Sequence, residues 1–255
     1  MAIQRPAPFA ERIAGSARPL IGTWVKIPSL ETVEILGNAG FDYVVIDLEH
    51  APLGLQDAYA ATVVAQASGM SVLVRVPDTS GSHVQRLLDA GVDGLLVPHV
   101  RSAAEAALQV ARMTFPPDGV RGMGTTGRAG AWGGTSGADY VAAGRHVFRG
   151  VQLEDWEALE DAEGIVSTPG LGGAFIGMGD LGLGRGLRSP DPELDALVAR
   201  TMGLALARGV PVGTAVGTPE QFGRAAEAGY AFVMVSNDTG MLRAEATRIV
   251  RESIG

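Results

Sequence analysis

The chain has 255 residues, 46% of them hydrophobic, which is the size of one large α/β domain with an extensive core. Its formal net charge of −8, without a block of lysines and arginines, argues against binding to nucleic acid or to an anionic membrane. The lack of cysteine excludes disulfides, thiolate metal ligands and thiol nucleophiles. Residues 1–6 lack the apolar core of a secretory leader and no apolar run could span a bilayer, so we expect a cytoplasmic protein.

Short apolar runs alternate with segments of helical spacing along the chain. The runs predict eight strands, at 22–26, 43–47, 72–75, 94–97, 150–154, 174–177, 211–215 and 231–235. The intervening segments predict helices at 30–39, 55–67, 84–90, 103–113, 193–207 and 219–228. This alternation predicts an α/β fold of the (β/α)8 TIM-barrel type, as a single domain over residues 1–255. A doubly wound parallel sheet alternates in the same way, but eight strands at nearly even spacing favour the barrel.

A long glycine-dense segment, 115–150, interrupts this rhythm. Loops of this length in compact domains are usually functional or mobile. We therefore expect it to cover part of the pocket.

Two segments, 122–127 and 177–182, fit the spacing G-x-G-x-x-G. The first does not follow a strand and the second is not expected to open directly into a helix, so neither has the context of a dinucleotide-binding turn. Backbone N–H groups of Gly179 and Asp180 in the second segment are better suited to hold a substrate carboxylate beside a metal ion.

Reactive side chains stand at the ends of four predicted strands. The second strand ends on Asp47 and continues into Glu49 and His50, the third ends on Arg75, and Glu154 and Asp180 follow the fifth and sixth. In a parallel barrel the carboxyl ends of the strands form the active-site face. The chain is therefore predicted to be an enzyme.

Glu154 and Asp180 are the candidate metal ligands, because an unpaired carboxylate next to a buried strand would be costly. Two carboxylates, together with water and a chelating substrate, suit a hard divalent cation such as Mg²⁺ or Mn²⁺. The alternative is that each carboxylate caps a turn or pairs with an arginine.

His50 follows Asp47 and Glu49, so an acid could hold one ring nitrogen and leave the other for proton transfer. Arg75 would place its guanidinium at the barrel mouth, where it could stabilise an enolate oxygen or bind a carboxylate. An ion pair between Arg75 and one of the two acids is compatible with that role. His99, at another strand exit, is a secondary pocket candidate.

Lys26 is the only lysine in the chain and ends the first predicted strand. It is therefore the only side chain that could form a Schiff base with a ketone. Alternatively, it is a solvated charge at the barrel rim.

Ordered motifs over nearly the whole length resemble the HpcH/HpaI aldolase family of metal-dependent class II pyruvate aldolases. The resemblance lies in segments 40–43, 47–52, 87–91, 96–98, 115–122, 151–154, 175–177 and 180–181, and in Arg75. It implies a (β/α)8 barrel in which Glu154 and Asp180 bind a divalent ion, with Mg²⁺, Mn²⁺ and Co²⁺ as candidates.

Further roles follow from the same resemblance. His50, oriented by Asp47, would move the proton through a water molecule, and Arg75 would stabilise the enolate. Gln152 and the backbone from Gly177 to Gly179 would line the 2-oxo-acid subsite. Family members are typically hexamers built as trimers of dimers, and the resemblance places Asp89 near the site of a neighbouring subunit.

The resemblance implies reversible retro-aldol cleavage of a 4-hydroxy-2-oxo acid to pyruvate, or hydroxypyruvate, and an aldehyde, by way of a metal-stabilised enolate. Two departures concern substrate recognition: the family's usual Gly-Pro-x-Asp-Leu is Gly-Met-Gly-Asp-Leu at 177–181, and the run before Arg128 is shortened. A condensing synthase on the same scaffold, a Schiff-base aldolase using Lys26 and a non-catalytic metabolite-binding barrel are the alternatives.

Overall fold

Eight parallel strands close into a barrel in the computed structural model, which describes residues 6–187 and 189–255. Each strand pairs with its neighbours in the sequence, and β8 pairs with β1 to complete the ring. The strands are β1 Leu20–Val25, β2 Tyr43–Asp47, β3 Ser71–Arg75, β4 Gly94–Val97, β5 Phe148–Leu153, β6 Gly173–Ile176, β7 Val212–Val216 and β8 Phe232–Asn237. The barrel prediction is confirmed, and the doubly wound alternative is wrong.

Helices surround the barrel and fill most of the connections between strands. They are α1 Phe9–Gly15, α2 Leu30–Ala39, α3 Leu55–Ala67, α4 Val84–Asp89, α5 Ala103–Met113, α6 Gly137–Ala143, α7 Trp156–Glu160, α8 Ala162–Val166, α9 Met178–Gly184, α10 Pro192–Ala207, α11 Pro219–Glu227 and α12 Asp238–Ile254. The six predicted helices correspond to α2, α3, α4, α5, α10 and α11. The others have weaker sequence signals, because most are short.

Side-chain caps start several of these helices where the sequence places a hydroxyl residue. Ser29 accepts a hydrogen bond from the backbone of Thr32 at the start of α2, and Thr218 forms a capping box at the start of α11. Gly40 ends α2 in the left-handed conformation, with φ of 95°. Such caps fix where each helix meets the barrel.

Aromatic rings fill the inside of the barrel because glycines on neighbouring strands leave room for them. Gly22 pairs in register with Tyr43, and Gly213 pairs with Phe232. A Cβ atom at Gly22 would lie 2.3 Å from the Tyr43 ring, and one at Gly213 would lie 2.1 Å from the Phe232 ring. These glycines are therefore part of the core packing.

Helix α1 closes the amino-terminal end of the barrel with the fully buried ring of Phe9. This ring packs edge-on against Tyr43, Phe148 and Phe232, with centroid distances of 5.0, 5.0 and 5.6 Å. The closed end leaves the carboxyl ends of the strands as the open face.

The long segment between α5 and β5 lies at the amino-terminal end of the barrel. Arg121 stacks on Phe115, 4.4 Å from its ring centroid, and donates to the Asp89 carboxylate, which also accepts from the Tyr140 hydroxyl. Because α5 runs antiparallel to the strands, the chain leaving it starts at the end opposite the active-site face. Within one chain, the expectation that this loop covers the pocket is therefore wrong.

No helix among the described residues is both long and apolar enough to cross a membrane. The one-domain prediction for residues 1–255 and the expectation of no secretory leader also involve residues 1–5 and position 188, which lie outside the described residues. The domain count stays a prediction.

Candidate active site

The charged residues at the carboxyl ends of β1 to β5 converge on one side of the barrel. Lys26 follows β1, Asp47 and Arg75 end β2 and β3, and Glu154 follows β5. Contacts shorter than 4 Å connect these side chains through Glu49 and His99, which follow β2 and β4. The exits of β2, β3 and β5, three of the four singled out in the sequence, thus form one cluster, and no contact connects Asp180 to it among these pairs.

Asp47 is fully buried and holds two cations. Arg75 donates to both carboxylate oxygens, from Nε to Oδ1 at 2.9 Å and from Nη2 to Oδ2 at 2.8 Å, and Lys26 Nζ donates to Oδ2. Burial alone would raise the pKa of Asp47, but the hydrogen bonds and charge of Arg75, with the Lys26 bond, lower it to about 2. Asp47 is therefore a permanent carboxylate that positions its neighbours.

Trp24 supports the other side of the Arg75 guanidinium. The guanidinium carbon lies 4.2 Å from the centroid of the indole ring, and both side chains are buried. Stacking and the two-pronged bond to Asp47 together fix the plane of the guanidinium. Arg75 is consequently a preorganised positive charge.

Asp47 contacts His50 through the backbone. Its Oδ1 accepts from the backbone N–H groups of Glu49 and His50, each at 3.2 Å, which fixes the turn after β2. The His50 ring instead lies 3.7 Å from Glu49 Oε2, and 54% of its side chain is exposed. The expectation that Asp47 holds the ring is therefore corrected, since both Asp47 oxygens are occupied by other groups.

Glu49 lies between Arg75 and the histidines. Its Oε1 is 3.2 Å from His99 Nε2, and its Oε2 is 3.0 Å from Arg75 Nη1 without the alignment of a hydrogen bond. A buried carboxylate oxygen without a hydrogen bond is costly unless a cation or water satisfies it. Glu49 belongs to the site, and its ion pair with Arg75 is one of the two that the sequence allowed.

His99 is held in an unusual backbone conformation, with φ of 53°. This conformation lets its backbone N–H donate to Glu154 Oε1 at 2.9 Å, while ring Nδ1 lies 3.1 Å from Asp155 Oδ2. Burial would lower the pKa of His99, but the bond to Asp155 and the charges of Glu154, Asp155 and Glu49 raise it. His99 is thus closer to the centre of the site than a secondary pocket residue.

Glu154 is nearly as buried as Asp47, with 2% of its surface exposed. Burial raises its pKa to about 7, the His99 backbone N–H and charge oppose the rise, and the charges of Glu49 and Asp180 add to it. The Gln152 amide donates to Glu154 Oε2. A carboxyl group in this setting gains from a nearby cation.

The donor set fits a divalent cation. Glu49, His99 and Glu154 each offer a ligand atom, and these atoms lie within 4.8 Å of one another. Asp180 lies in the first turn of α9, half-buried, and its charge acts on Glu154. The group that could hold an ion therefore differs from the expected pair: it comprises Glu49, His99 and Glu154, and among the described residues Asp180 does not join it. The pairing of Glu154 with Asp180 stays a prediction.

Gln152 and Gly177 border the Glu154 carboxylate, and Gly179 follows two residues later. A Cβ atom at Gly177 would lie 2.7 Å from Glu154 Cβ and 3.3 Å from Gln152 Nε2, whereas one at Gly179 would meet nothing within 4 Å. Gly177 thus permits close approach of the backbone to Glu154, and Gly179 faces open space. Gln152 Oε1 is buried without a hydrogen bond, so the amide can still accept one.

The segment 177–182 differs from its sequence-based description. Helix α9 starts at Met178, directly after β6, so this G-x-G-x-x-G segment does open into a helix. The backbone there adjoins the Glu154 carboxylate, which opposes the binding of a phosphate. The structure still gives no support to a dinucleotide site.

Asp89 is not part of this cluster. It ends α4 at the amino-terminal end of the barrel, where it accepts from Arg121 and Tyr140. Any contact between Asp89 and an active site would have to involve another subunit, as the resemblance implies.

Comparison with known proteins identifies the family of the chain. The sequence model of the HpcH/HpaI aldolase/citrate lyase family matches residues 20–244. The chain is 34% identical over 232 residues, 90% of this chain and 91% of the relative, to the 2-dehydro-3,6-dideoxy-6-sulfogluconate aldolase of Pseudomonas putida. It is 32% identical over 232 residues, 90% of each protein, to the 5-keto-4-deoxy-D-glucarate aldolase of Escherichia coli K12.

A solved structure agrees with these relatives. The HpcH/HpaI aldolase/citrate lyase family protein of Burkholderia cenocepacia J2315 superposes with a TM-score of 0.89 at 31% identity, covering 96% of this chain and 98% of that one. The expectation that the chain is an enzyme, a carbon–carbon lyase, is confirmed by these relatives. The chain belongs to the HpcH/HpaI aldolase/citrate lyase family.

Proposed function

We propose that the protein is a divalent-metal-dependent class II aldolase that reversibly cleaves 4-hydroxy-2-oxo acids to pyruvate, or hydroxypyruvate, and an aldehyde. The observation that carries this proposal is the buried Glu154 carboxylate beside Glu49 and His99, with the preorganised Arg75 in the same cluster. Negative ligands and a fixed positive charge in one pocket suit a reaction that creates an enolate.

Glu154 and Asp180 are the proposed metal ligands, and Glu49 and His99 complete the polar surroundings. The raised pKa of Glu154 and the closeness of ligand atoms from Glu49 and His99 favour a cation at this place. Mg²⁺, Mn²⁺ and Co²⁺ are the candidates, since carboxylates dominate the donor set. When bound, the ion supplies Lewis-acid polarisation of the 2-oxo group.

The chain's own groups bind and orient the substrate. Gln152 and the backbone at Gly177 and Gly179 border the proposed 2-oxo-acid subsite, where the Gln152 amide offers an acceptor and the glycines leave space. Arg75 places a fixed positive charge where the enolate oxygen develops. His50, exposed at the rim, is positioned to exchange a proton with the substrate through water.

The names of the relatives suggest the substrate class. The enzymes from Pseudomonas putida and Escherichia coli are named for deoxy keto sugar acids. A 4-hydroxy-2-oxo acid derived from a sugar acid is therefore the proposed type of substrate. The hexameric assembly, the role of Asp89 at a neighbouring site and the cytoplasmic location stay predictions.

A Schiff-base route finds less support in the geometry. Imine formation needs a neutral amine, and Lys26 Nζ is paired with the buried Asp47 carboxylate. A condensing synthase would use the same enolate with a thioester partner, so the products decide between the two.

The test is pyruvate release from a panel of 4-hydroxy-2-oxo acids, measured with a coupled lactate dehydrogenase assay. We expect release that needs Mg²⁺ or Mn²⁺, is lost with a chelator and in Glu154→Gln and Asp180→Asn, and persists in the surface variant Glu245→Gln. Turnover that survives verified metal removal would contradict the proposal. Borohydride trapping of pyruvate at Lys26, or consumption of a thioester without aldehyde, would instead support one of the alternatives.

A further inference from the structure

The only lysine of the chain lies inside the active-site cluster. Lys26 Nζ is 2.5 Å from Asp47 Oδ2, the oxygen that also accepts from Arg75 Nη2 at 2.8 Å. Its side chain is 22% exposed, whereas that of Asp47 is fully buried. The two cations therefore share one carboxylate oxygen at the base of the pocket.

The backbone around Lys26 is fixed as firmly as its side chain. The N–H groups of Lys26 and Ile27 both donate to Asp238 Oδ2 at 2.9 Å. Asp238 is the first residue of α12 and is 3% exposed. Holding a long, flexible lysine side chain in one place costs side-chain entropy. The ion pair of Lys26 with Asp47, on an anchored backbone, therefore points to a defined role.

The charges around Arg75 show what this role is. Arg75 lies between two carboxylates, Asp47 and Glu49, at 2.8 and 3.0 Å. Without Lys26 these three side chains would carry one positive and two negative charges, next to the place where the proposed function puts a 2-oxo acid and its enolate. Lys26 makes the two charges balance, because its ammonium offsets Asp47.

We propose that Lys26 is a positioning residue that shares the Asp47 carboxylate with Arg75, and so keeps the Arg75 guanidinium oriented and electrostatically available to the substrate. This inference rests on the proposed function, and it assigns Lys26 no covalent step. Arg75 is held by Asp47 on one edge and by the Trp24 ring below. Because Lys26 also pairs with Asp47, the Asp47 carboxylate does not neutralise the Arg75 charge fully.

The experiment measures exchange of the pyruvate methyl protons with deuterated solvent by wild-type and variant protein in Mn²⁺. We expect Lys26→Met to lower kcat by about 10²-fold, the size of loss seen when one preorganised charge partner is removed from an active site. Lys26→Arg should stay within about tenfold of wild type, because it restores the charge. Arg248→Met, which removes an exposed cation from α12, is the matched control and should keep the wild-type rate.

Chemical modification tests the same point without a mutation. Because Lys26 is the only lysine, reductive dimethylation alters this side chain and the terminal amine, and Lys26→Arg treated in parallel isolates the effect of the terminus. Dimethyl-lysine keeps its charge and one N–H donor but cannot form an imine. We expect the dimethylated protein to retain exchange, and acetylated protein to lose it as Lys26→Met does.

A double-mutant cycle separates this role from simple structural support. If Lys26 acts by offsetting Asp47, the loss in Lys26→Met combined with Asp47→Asn should be smaller than the product of the two single losses. Mn²⁺ affinity, measured by calorimetry, should be unchanged in Lys26→Met.

The outcomes are distinct. If the wild-type protein exchanges the protons, any one of three results would overturn the positioning role. Lys26→Met could exchange as fast as wild type, Lys26→Arg could be as impaired as Lys26→Met, or dimethylation could reduce exchange as much as acetylation does. No metal-dependent exchange by the wild-type protein would instead overturn the proposed function.

Discussion

Asp47 and Arg75 are register partners at the ends of β2 and β3, and their side chains meet in a two-pronged ion pair with bonds of 2.9 and 2.8 Å. Strand pairing therefore places the two residues side by side before any ligand binds. The cost of burying both charges is offset by complementary hydrogen bonds. Preorganisation of the arginine is in this way a property of the barrel itself.

The first prediction concerns pH and stability. The pKa of Asp47 is lowered from 3.8 to about 2 in the folded protein, so its stabilising contribution is complete above the unfolded-state pKa and is lost as pH falls through the folded-state pKa. This linkage amounts to about 2 kcal/mol. Asp47→Asn should be less stable than wild type at pH 7, and the gap should narrow between about pH 4 and pH 2. Urea unfolding at stepped pH measures it, and a gap independent of pH would contradict the assigned cause.

The second prediction concerns metal and stability. An ion bound only by the folded state raises the unfolding temperature with its concentration. Mn²⁺ should therefore raise Tm in the wild-type protein, and Glu154→Gln should show no such rise while remaining folded. Differential scanning calorimetry over a Mn²⁺ titration measures this, with Glu163→Gln, an exposed acid outside the site, as control. Equal shifts in Glu154→Gln and wild type would place the ion elsewhere.

The third prediction concerns the close approach of Gly177 to Glu154. In Gly177→Ala the new methyl would lie 2.7 Å from Glu154 Cβ and 3.0 Å from Oε2, so the carboxylate must move. We expect Mn²⁺ affinity to fall by about tenfold or more, the loss typical when groups that orient a ligand are disturbed. Gly182→Ala, where the methyl meets nothing within 4 Å, is the matched control. Unchanged affinity in both variants would contradict the claim that the Gly177 backbone holds Glu154 in place for the ion.

The fourth prediction concerns His50. Its ring is exposed and touches Glu49 rather than Asp47, so it is free to move a proton. His50→Asn should slow exchange of the pyruvate methyl protons by about 10²-fold and leave Mn²⁺ affinity intact. A variant that loses metal binding as well would point to a structural role, and one that keeps the wild-type rate would exclude His50 from the proton step.

Much of the fold could be predicted from the sequence. Eight apolar runs at nearly even spacing correspond to the eight strands, because strand and helix periodicities are local properties of the chain. Helix α1 was not predicted, because its Phe9 ring is buried by packing against Tyr43, Phe148 and Phe232, which are remote in sequence. Only the closed barrel brings these rings together.

The same distinction applies to the candidate site. The strand ends could be predicted to share one face, and Asp47, Arg75 and Glu154 were therefore predicted as site residues. The left-handed backbone of His99 could not be predicted, nor could its position between Glu49 and Glu154. The hydrogen-bond partners of Asp47 could not be predicted either. Whether its carboxylate accepts from the His50 ring or from a backbone N–H depends on the turn after β2.

Exchange of the pyruvate methyl protons with deuterated water, followed by proton NMR, tests the central claim most directly because it needs no knowledge of the aldehyde. With Mg²⁺ or Mn²⁺ the wild-type protein should exchange these protons, and chelation, Glu154→Gln or Asp180→Asn should stop it. Exchange that continues at the wild-type rate in both variants, or after verified removal of the metal, would contradict the account.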